Sequence, residues 1–235
     1  VAPDAKGVDA VKFLDFCSTV HPEFLFDFPH RTMAYELEGV ARGEYDAAIA
    51  VPPGTGKTQM VMIDFAAWLL HENPRLHIIE LANSDSLARL SSGNVLRTLQ
   101  HPDLPRLEFT KATESQFTIA GGDGRPSLHA AGIMGQVTGQ RANFLLVDDP
   151  LKNISEAYSE TIRERVWQNF LAAAETRLLP NGRIVIVHTR WHLDDLIGRL
   201  LTRARANRKS RQFRYLCLAA INTDGRSSYV EDTRL

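Results

Sequence analysis

The chain has 235 residues, 44% hydrophobic and 23% charged, with net charge −1. That length suits one large α/β domain or two small ones, and the composition excludes disordered, collagenous and disulfide-scaffold classes. No apolar run approaches the roughly 20 residues of a membrane span; Phe65-Ala-Ala-Trp-Leu-Leu70 has six.

Cys17 and Cys217 stand 200 positions apart, with no C-x-x-C or Cys/His cluster, a usage that suits a reducing cytoplasm and argues against structural zinc. The chain opens at Val1 without a basic-then-apolar leader, so nothing in it marks export. Charge is unevenly spread. Arg199 to Arg214 holds six Arg, one Lys and no acid, a local +7 against −8 elsewhere. Such a block contacts nucleic acid or complements a helix C-terminus.

In chain order, Ala47–Val51 reads as a short buried strand, followed by a Gly-rich turn and a helix from Lys57 to about His71, which Asn73-Pro74 stops. Leu76–Ala82 is the next strand, and Asn83 or Ser84 caps a helix to about Gln100. Gln116–Ala120 and Ser127–Ala131 flank Gly121-Gly-Asp-Gly124, a hairpin signal. Phe144–Val147 is a strand, Tyr158 to Leu179 a helix ended by Pro180-Asn-Gly182, and Arg183–Val187 a buried strand. Leu193 to about Arg205 is a helix, Phe213–Ala220 a last strand, and Ile221–Leu235 a polar linker. The βαβα alternation predicts an α/β fold with a mainly parallel sheet, helices on both faces and a small β-hairpin insertion.

Val51-Pro-Pro-Gly-Thr-Gly-Lys-Thr58, between strand and helix, has the context of a P-loop, although Val51 stands where the motif's first Gly belongs. Backbone N–H groups at a helix N-terminus bind phosphate oxygens. The predicted ATP contacts run through Pro53, Gly54, Thr55, Gly56, Lys57, Thr58 and Gln59, with Lys57 at the β- and γ-phosphates and Thr58 on Mg²⁺. A P-loop needs a metal-orienting carboxylate at a neighbouring strand end, and Phe144-Leu-Leu-Val-Asp-Asp149 supplies two acids. Asp148 is expected to hold Mg²⁺. Asp149, on the opposite side of the strand, is expected to polarise the attacking water.

The strand Arg183–Val187 leads into His188-Thr-Arg-Trp-His192. In additional-strand P-loop ATPases such a strand lies between the P-loop and carboxylate strands, and Thr189 is placed to sense the γ-phosphate. Trp191 and His192 read as packing and capping residues. Asp194 and Asp195 fall in a helix's first turn, where anions are favoured, and no chemistry is assigned to them. Arg141 is a candidate arginine finger reaching a neighbouring subunit. His21, His71, His77, His101 and His129 are scattered singly and read as structural.

The pattern resembles the ATPase half of tailed-phage terminase large subunits. Four blocks carry the resemblance: Ile49–Thr58, Gly132–Arg141, Leu145–Lys152 and Thr189–Leu196. It implies a RecA-like, additional-strand (ASCE) P-loop NTPase, with Lys57 and Thr58 on phosphate and Mg²⁺, Asp148 on the metal and Thr189 in the coupling motif. His30 and Arg31 fall where the family's N-terminal segment approaches adenine. Relatives commonly have Glu where this chain has Asp149, and some carry a trans-acting Arg where Thr138 stands, which leaves Arg141 as its nearest substitute.

The resemblance further implies ATP-driven translocation of double-stranded DNA into a procapsid, with ATP and Mg²⁺ as cofactors. The implied partners are a homo-oligomeric ring on a portal and a small terminase subunit, without a membrane, in the host cytoplasm. Residues 1–220 are expected to be the ATPase domain and 221–235 a linker, with the family's C-terminal nuclease absent and no DNA cleavage. Arg205, Arg208 and Lys209 are the expected DNA contacts. The alternatives are a P-loop small-molecule kinase and a nucleotide-dependent binding module.

Overall fold

In the computed structural model, residues 13–135, 139–219 and 229–234 are described. Two helices open them, α1 (Phe13–Val20) and α2 (Phe28–Ala41), neither of which the sequence patterns announce. At eight residues, α1 is too short to hold by itself and depends on packing. Its Phe13 and Phe16 are buried against Trp68 and His71, with Phe13 also edge-on to Phe65.

β1 (Asp46–Ala50) is buried along its whole length, and three of its five residues are alanine, so layers on both faces approach it closely. The following helix begins with Gln59–Asp64, a wide turn in which the Phe65 N–H reaches back to Met60 O, five residues earlier. It continues as α3 (Phe65–Glu72). β2 (Ile78–Ala82) leads to α4 (Asp85–Leu99), whose cap is Ser84: its hydroxyl accepts from Leu87 N.

β3 (Phe109–Ala112), β4 (Gln116–Ile119) and β5 (Leu128–Gly132) form the antiparallel insertion, so the predicted hairpin is present with a third strand outside it. Gly121 and Gly124 sit at φ +83° and +84°, the left-handed conformation its connecting turn uses.

β6 (Ala142–Asp148) precedes the short α5 (Ile154–Tyr158) and α6 (Glu160–Arg177). β7 (Leu178–His188) follows without a break. Pro180-Asn-Gly182 is therefore not a loop between elements. It is a bulge inside β7, where the pairing jumps from Ala142↔Leu178 to Phe144↔Arg183. α7 (Leu196–Ala206), β8 (Phe213–Cys217) and β9 (Tyr229–Asp232) complete the described chain. β9 pairs antiparallel with β8, which corrects the reading of 221–235 as linker throughout; residues 220–228 and 235 lie outside the described residues.

The nine described strands run in the order β3-β4-β5-β2-β6-β7-β1-β8-β9, parallel from β5 to β8 and antiparallel at both edges. Side chains alternate across it. Ala47 and Ile49 join a core with α1 to α4, while Ala48 and Ala50 join a second with α6 and α7. The mainly parallel sheet with helices on both faces is as predicted. β7 lies between β1 and β6, bringing the loops after three central strands to one edge. No described helix is long and apolar enough to cross a membrane.

Candidate active site

The loop after β1 turns at Gly54 and Gly56, with φ of +78° and +68°, positions where a side chain would be strained. The Thr55 hydroxyl donates to Pro52 O at 2.8 Å and tightens the turn. Lys57 and Thr58 then point across the sheet edge to the end of β6. The Thr58 hydroxyl donates to Asp148 Oδ2 at 2.6 Å, and Lys57 Nζ lies 2.9 Å from Asp149 Oδ2.

The two neighbouring acids have different surroundings. Burial pushes the Asp148 carboxyl up to about 6, and the nearby charge of Asp149 pushes the same way. Its Oδ1 is buried without a hydrogen-bond partner. Burial also works against Asp149, but His188, Lys57 and the Thr189 N–H hold it below the usual carboxylate range. Asp149 sits at φ +36°, just past the strand end, so it meets both Lys57 and the β7 tip.

Thr189 is at that tip. Its N–H donates to Asp149 Oδ1 at 2.8 Å and its hydroxyl to Val51 O at 3.4 Å, tying β7 to the first residue of the loop. His30 is also brought in: its Nε2 lies 3.4 Å from where a Cβ on Gly56 would stand. Phe24 packs near-perpendicular to the His30 ring at 4.9 Å. Arg31 donates to Phe26 O at 2.9 Å, so its described contact shapes the segment beside His30 rather than the phosphate loop.

Gln59 turns aside. Its amide donates to Asp64 Oδ1 at 2.8 Å, and its Nε2 lies 3.3 Å from His21 Nε2. His21 in turn lies 2.9 Å from Asp64 Oδ1, which raises its pKa. His21 therefore belongs to a network with the helix after the loop, a link that single-residue reading missed.

A second omission lies behind Asp149. His188 Nδ1 is 3.7 Å from Asp149 Oδ1, and His188 Nε2 is 3.1 Å from Asp195 Oδ2. Asp195, to which no chemistry was assigned, is fully buried, caps α7 by accepting from Gly198 N at 2.8 Å, and accepts from Arg190 Nε at 2.8 Å. His192 accepts from Asp194 N at 3.0 Å in the turn before α7, whose cap is Asp195. Trp191 does not pack as expected, being 40% exposed.

Arg141 precedes β6, about 20 Å from Asp148 by strand rise, so it is remote from the loop after β1 in the same chain. It is exposed and borders a cleft of about 740 Å³ with Arg203 and Arg211, at the sheet edge away from the loop. Thr138, with Gln136 and Val137, lies outside the described residues.

The Arg199–Arg214 block is not an unpaired +7, which corrects the reading from charge alone. Arg199 pairs with Asp194 and Glu164, Arg203 with Glu175, and Arg205 with Glu231. Arg211 reaches buried Asp46, and Arg214 reaches buried Glu36. Apart from Asp194, five residues before Arg199, the acids come from distant segments, so local sequence shows most of the cations without their partners. Arg208 and Lys209 lie in the exposed turn after α7.

The residues present suit Mg²⁺. A hydroxyl and a carboxylate with an unpartnered buried oxygen are the hard oxygen donors that this ion takes, with phosphate and water completing its shell.

No protein-family model matches the chain. The terminase large subunit of Enterobacteria phage T3 is 30% identical over 147 residues, covering 58% of this chain. The chain spans about a quarter of that relative's length, 24%. By sequence identity this chain is similar to a phage terminase large subunit.

Proposed function

We propose that the chain is an Mg²⁺-dependent ATPase of the additional-strand, RecA-like class, working in phage DNA packaging. The observation that carries this reading is the Thr58–Asp148 hydrogen bond, which joins a glycine-turned phosphate loop to a carboxylate across the β7 tip. Lys57 and the loop's N–H groups hold the phosphates, and Thr58 and Asp148 hold Mg²⁺, which when bound neutralises phosphate charge. Lys57 exchanges Asp149 for the γ-phosphate. Asp149, kept ionised, then accepts a proton from the attacking water. Thr189 contacts both Asp149 and the loop, as a γ-phosphate sensor requires. His30 packs against the base, and Arg31 holds the segment that carries it.

In this reading hydrolysis drives double-stranded DNA translocation in a homo-oligomeric ring on a portal, in the host cytoplasm and with a small terminase subunit. The distance of Arg141 from its own loop suits a role in a neighbouring site. The ATPase domain takes in residues 1–220 together with β9, which completes its sheet, and has no part in cutting DNA. Arg205, Arg208 and Lys209 are the candidates for DNA phosphate contacts, and Arg205 is also engaged by Glu231.

Phosphate release, measured with and without double-stranded DNA, tests the proposal. The motor reading expects ATP hydrolysis without a small-molecule acceptor, increased when chains assemble or DNA is present. Phosphoryl transfer to an acceptor without free hydrolysis would establish the kinase reading instead. Nucleotide binding without turnover under every condition would establish a binding module.

A further inference from the structure

The tip of β7 faces two ways. Ile184 and Ile186 pack in the core of α6 and α7, and His188, two residues further along, meets Asp195 at the start of α7. Thr189 faces the phosphate loop. One short segment therefore touches both the candidate nucleotide site and the helix behind it.

His188 and Asp195 have fully buried side chains, and Asp149 is largely buried on the other side of the imidazole. Burial alone would lower the His188 pKa, but Asp149 and Asp195 outweigh it and raise it. Ionisable groups removed from water, as His188 and Asp195 are, are costly unless each has a partner. Here the partners are themselves anchored. Asp149 is fixed by Lys57 and the Thr189 N–H, and Asp195 by Arg190 and the Gly198 N–H. Neither nitrogen of His188 makes a well-aligned hydrogen bond; both stand at ion-pair distance. The ring therefore responds mainly to charge.

The connection to α7 has no slack. Arg190 donates to Leu193 O at 2.9 Å and lies within 3.4 Å of the Tyr215 hydroxyl. A Cβ on Gly198 would stand 1.8 Å from Leu193 O and 2.8 Å from Arg190 Nη2. The turn is thus pressed onto the first turn of α7, and the two must move together.

We propose that His188 is a positioning residue that holds Asp149 in place and links nucleotide occupancy to the N-terminus of α7. The proposal rests on the assignment of Lys57 and Asp149 to the nucleotide site. When Lys57 turns to a phosphate, Asp149 loses a cation at 2.9 Å and relies on His188 and the Thr189 N–H. The imidazole is drawn towards Asp149 and away from Asp195, which loosens or shifts the α7 cap. α7 ends at Ala206, beside Arg208 and Lys209, so the signal reaches the cationic turn.

The test uses the full chain with His188→Asn and His188→Gln. Asn keeps a donor near the position of Nδ1, and Gln keeps one near Nε2. Three readouts are taken: fluorescent-nucleotide affinity, steady-state kcat and KM, and hydrogen exchange of residues 196–206 with and without a non-hydrolysable ATP analogue. Thermal unfolding accompanies them, so that one folded variant suffices. The expected result is nucleotide affinity within about twofold of the parent, kcat lower by about tenfold or more, and loss of the nucleotide-dependent change in α7 exchange. Parental kcat and α7 response in a folded variant would overturn the proposal. So would a parent chain that binds nucleotide without any change in α7, and that result leaves the ATPase reading standing. A parent chain that binds no nucleotide overturns the ATPase reading itself.

Discussion

Thr58 donates its hydroxyl hydrogen to Asp148 Oδ2 at 2.6 Å across 90 positions of chain. The bond joins the loop after β1 to the β6 tip, and it leaves Asp148 Oδ1 unpartnered. Asp149 faces a different set: Lys57, Thr189 and His188. Asp148→Asn should therefore weaken Mg²⁺-nucleotide binding, whereas Asp149→Asn should spare binding and lower turnover. Nucleotide titrations at several Mg²⁺ concentrations separate them. Equal loss of affinity in both variants would refute the division of roles.

Lys57→Ala should remove ATP hydrolysis, because it deletes the side-chain cation assigned to the γ-phosphate. Folding should survive, since Asp149 keeps the Thr189 N–H at 2.8 Å and the nearby His188. A phosphate-release assay alongside thermal unfolding checks both points. Near-normal turnover in a folded variant would overturn the P-loop reading.

Glu80 lies in β2, fully buried, with no well-formed hydrogen bond to either carboxyl oxygen. Burial pushes it up to about 8, with Ser91 opposing and the charge of Asp148 adding to the rise. The folded protein therefore holds a proton that the unfolded chain releases. Stability from this group should fall as pH rises from about 4.5, the unfolded value, to about 8, then level off. Glu80→Gln removes that slope and should stabilise the protein by on the order of a few kcal/mol above pH 8. Urea unfolding at about pH 5, 7 and 9 measures the difference. Parallel pH curves for parent and variant would refute it.

Asp195→Ala removes a helix cap, worth about 1 kcal/mol, and leaves His188 and Arg190 without their shared buried carboxylate. Breaking a buried charge pair costs roughly 3–5 kcal/mol, so the loss should exceed that of a cap alone. Equilibrium denaturation gives the value. A loss of about 1 kcal/mol or less would mean that Asp195 only caps α7.

The basic block divides by partner. Arg211→Leu and Arg214→Leu strand the buried acids Asp46 and Glu36, so both should destabilise by a few kcal/mol. Arg208 and Lys209 lie in the exposed turn after α7, and replacing both with Gln tests the DNA contact. If each residue contacts a DNA phosphate, the pair should reduce the slope of log K against log salt by about 1.8. Arg205→Gln should reduce it less, because Glu231 already engages that guanidinium at 2.5 and 2.9 Å. An unchanged slope in the double variant would move the DNA interface elsewhere.

The sequence by itself determined the glycine-turned loop after β1, the two acids at the end of β6 and the alternation of strands and helices. Each of these is encoded over a few consecutive residues: glycines where φ must be positive, apolar runs where a strand is covered on both faces, and caps where a helix starts. α1, with eight residues, gave no pattern strong enough to read, and Pro180-Asn-Gly182 looked like a terminator although it forms a bulge. Only the tertiary structure decided that β7 lies between β1 and β6, that Arg211 and Arg214 neutralise Asp46 and Glu36, and that His188 stands between Asp149 and Asp195. The physical reason is that a charge acts over a few ångströms of space whatever its distance along the chain. Asp46 and Arg211 are 165 positions apart in sequence and 2.6 Å apart once the strands are ordered.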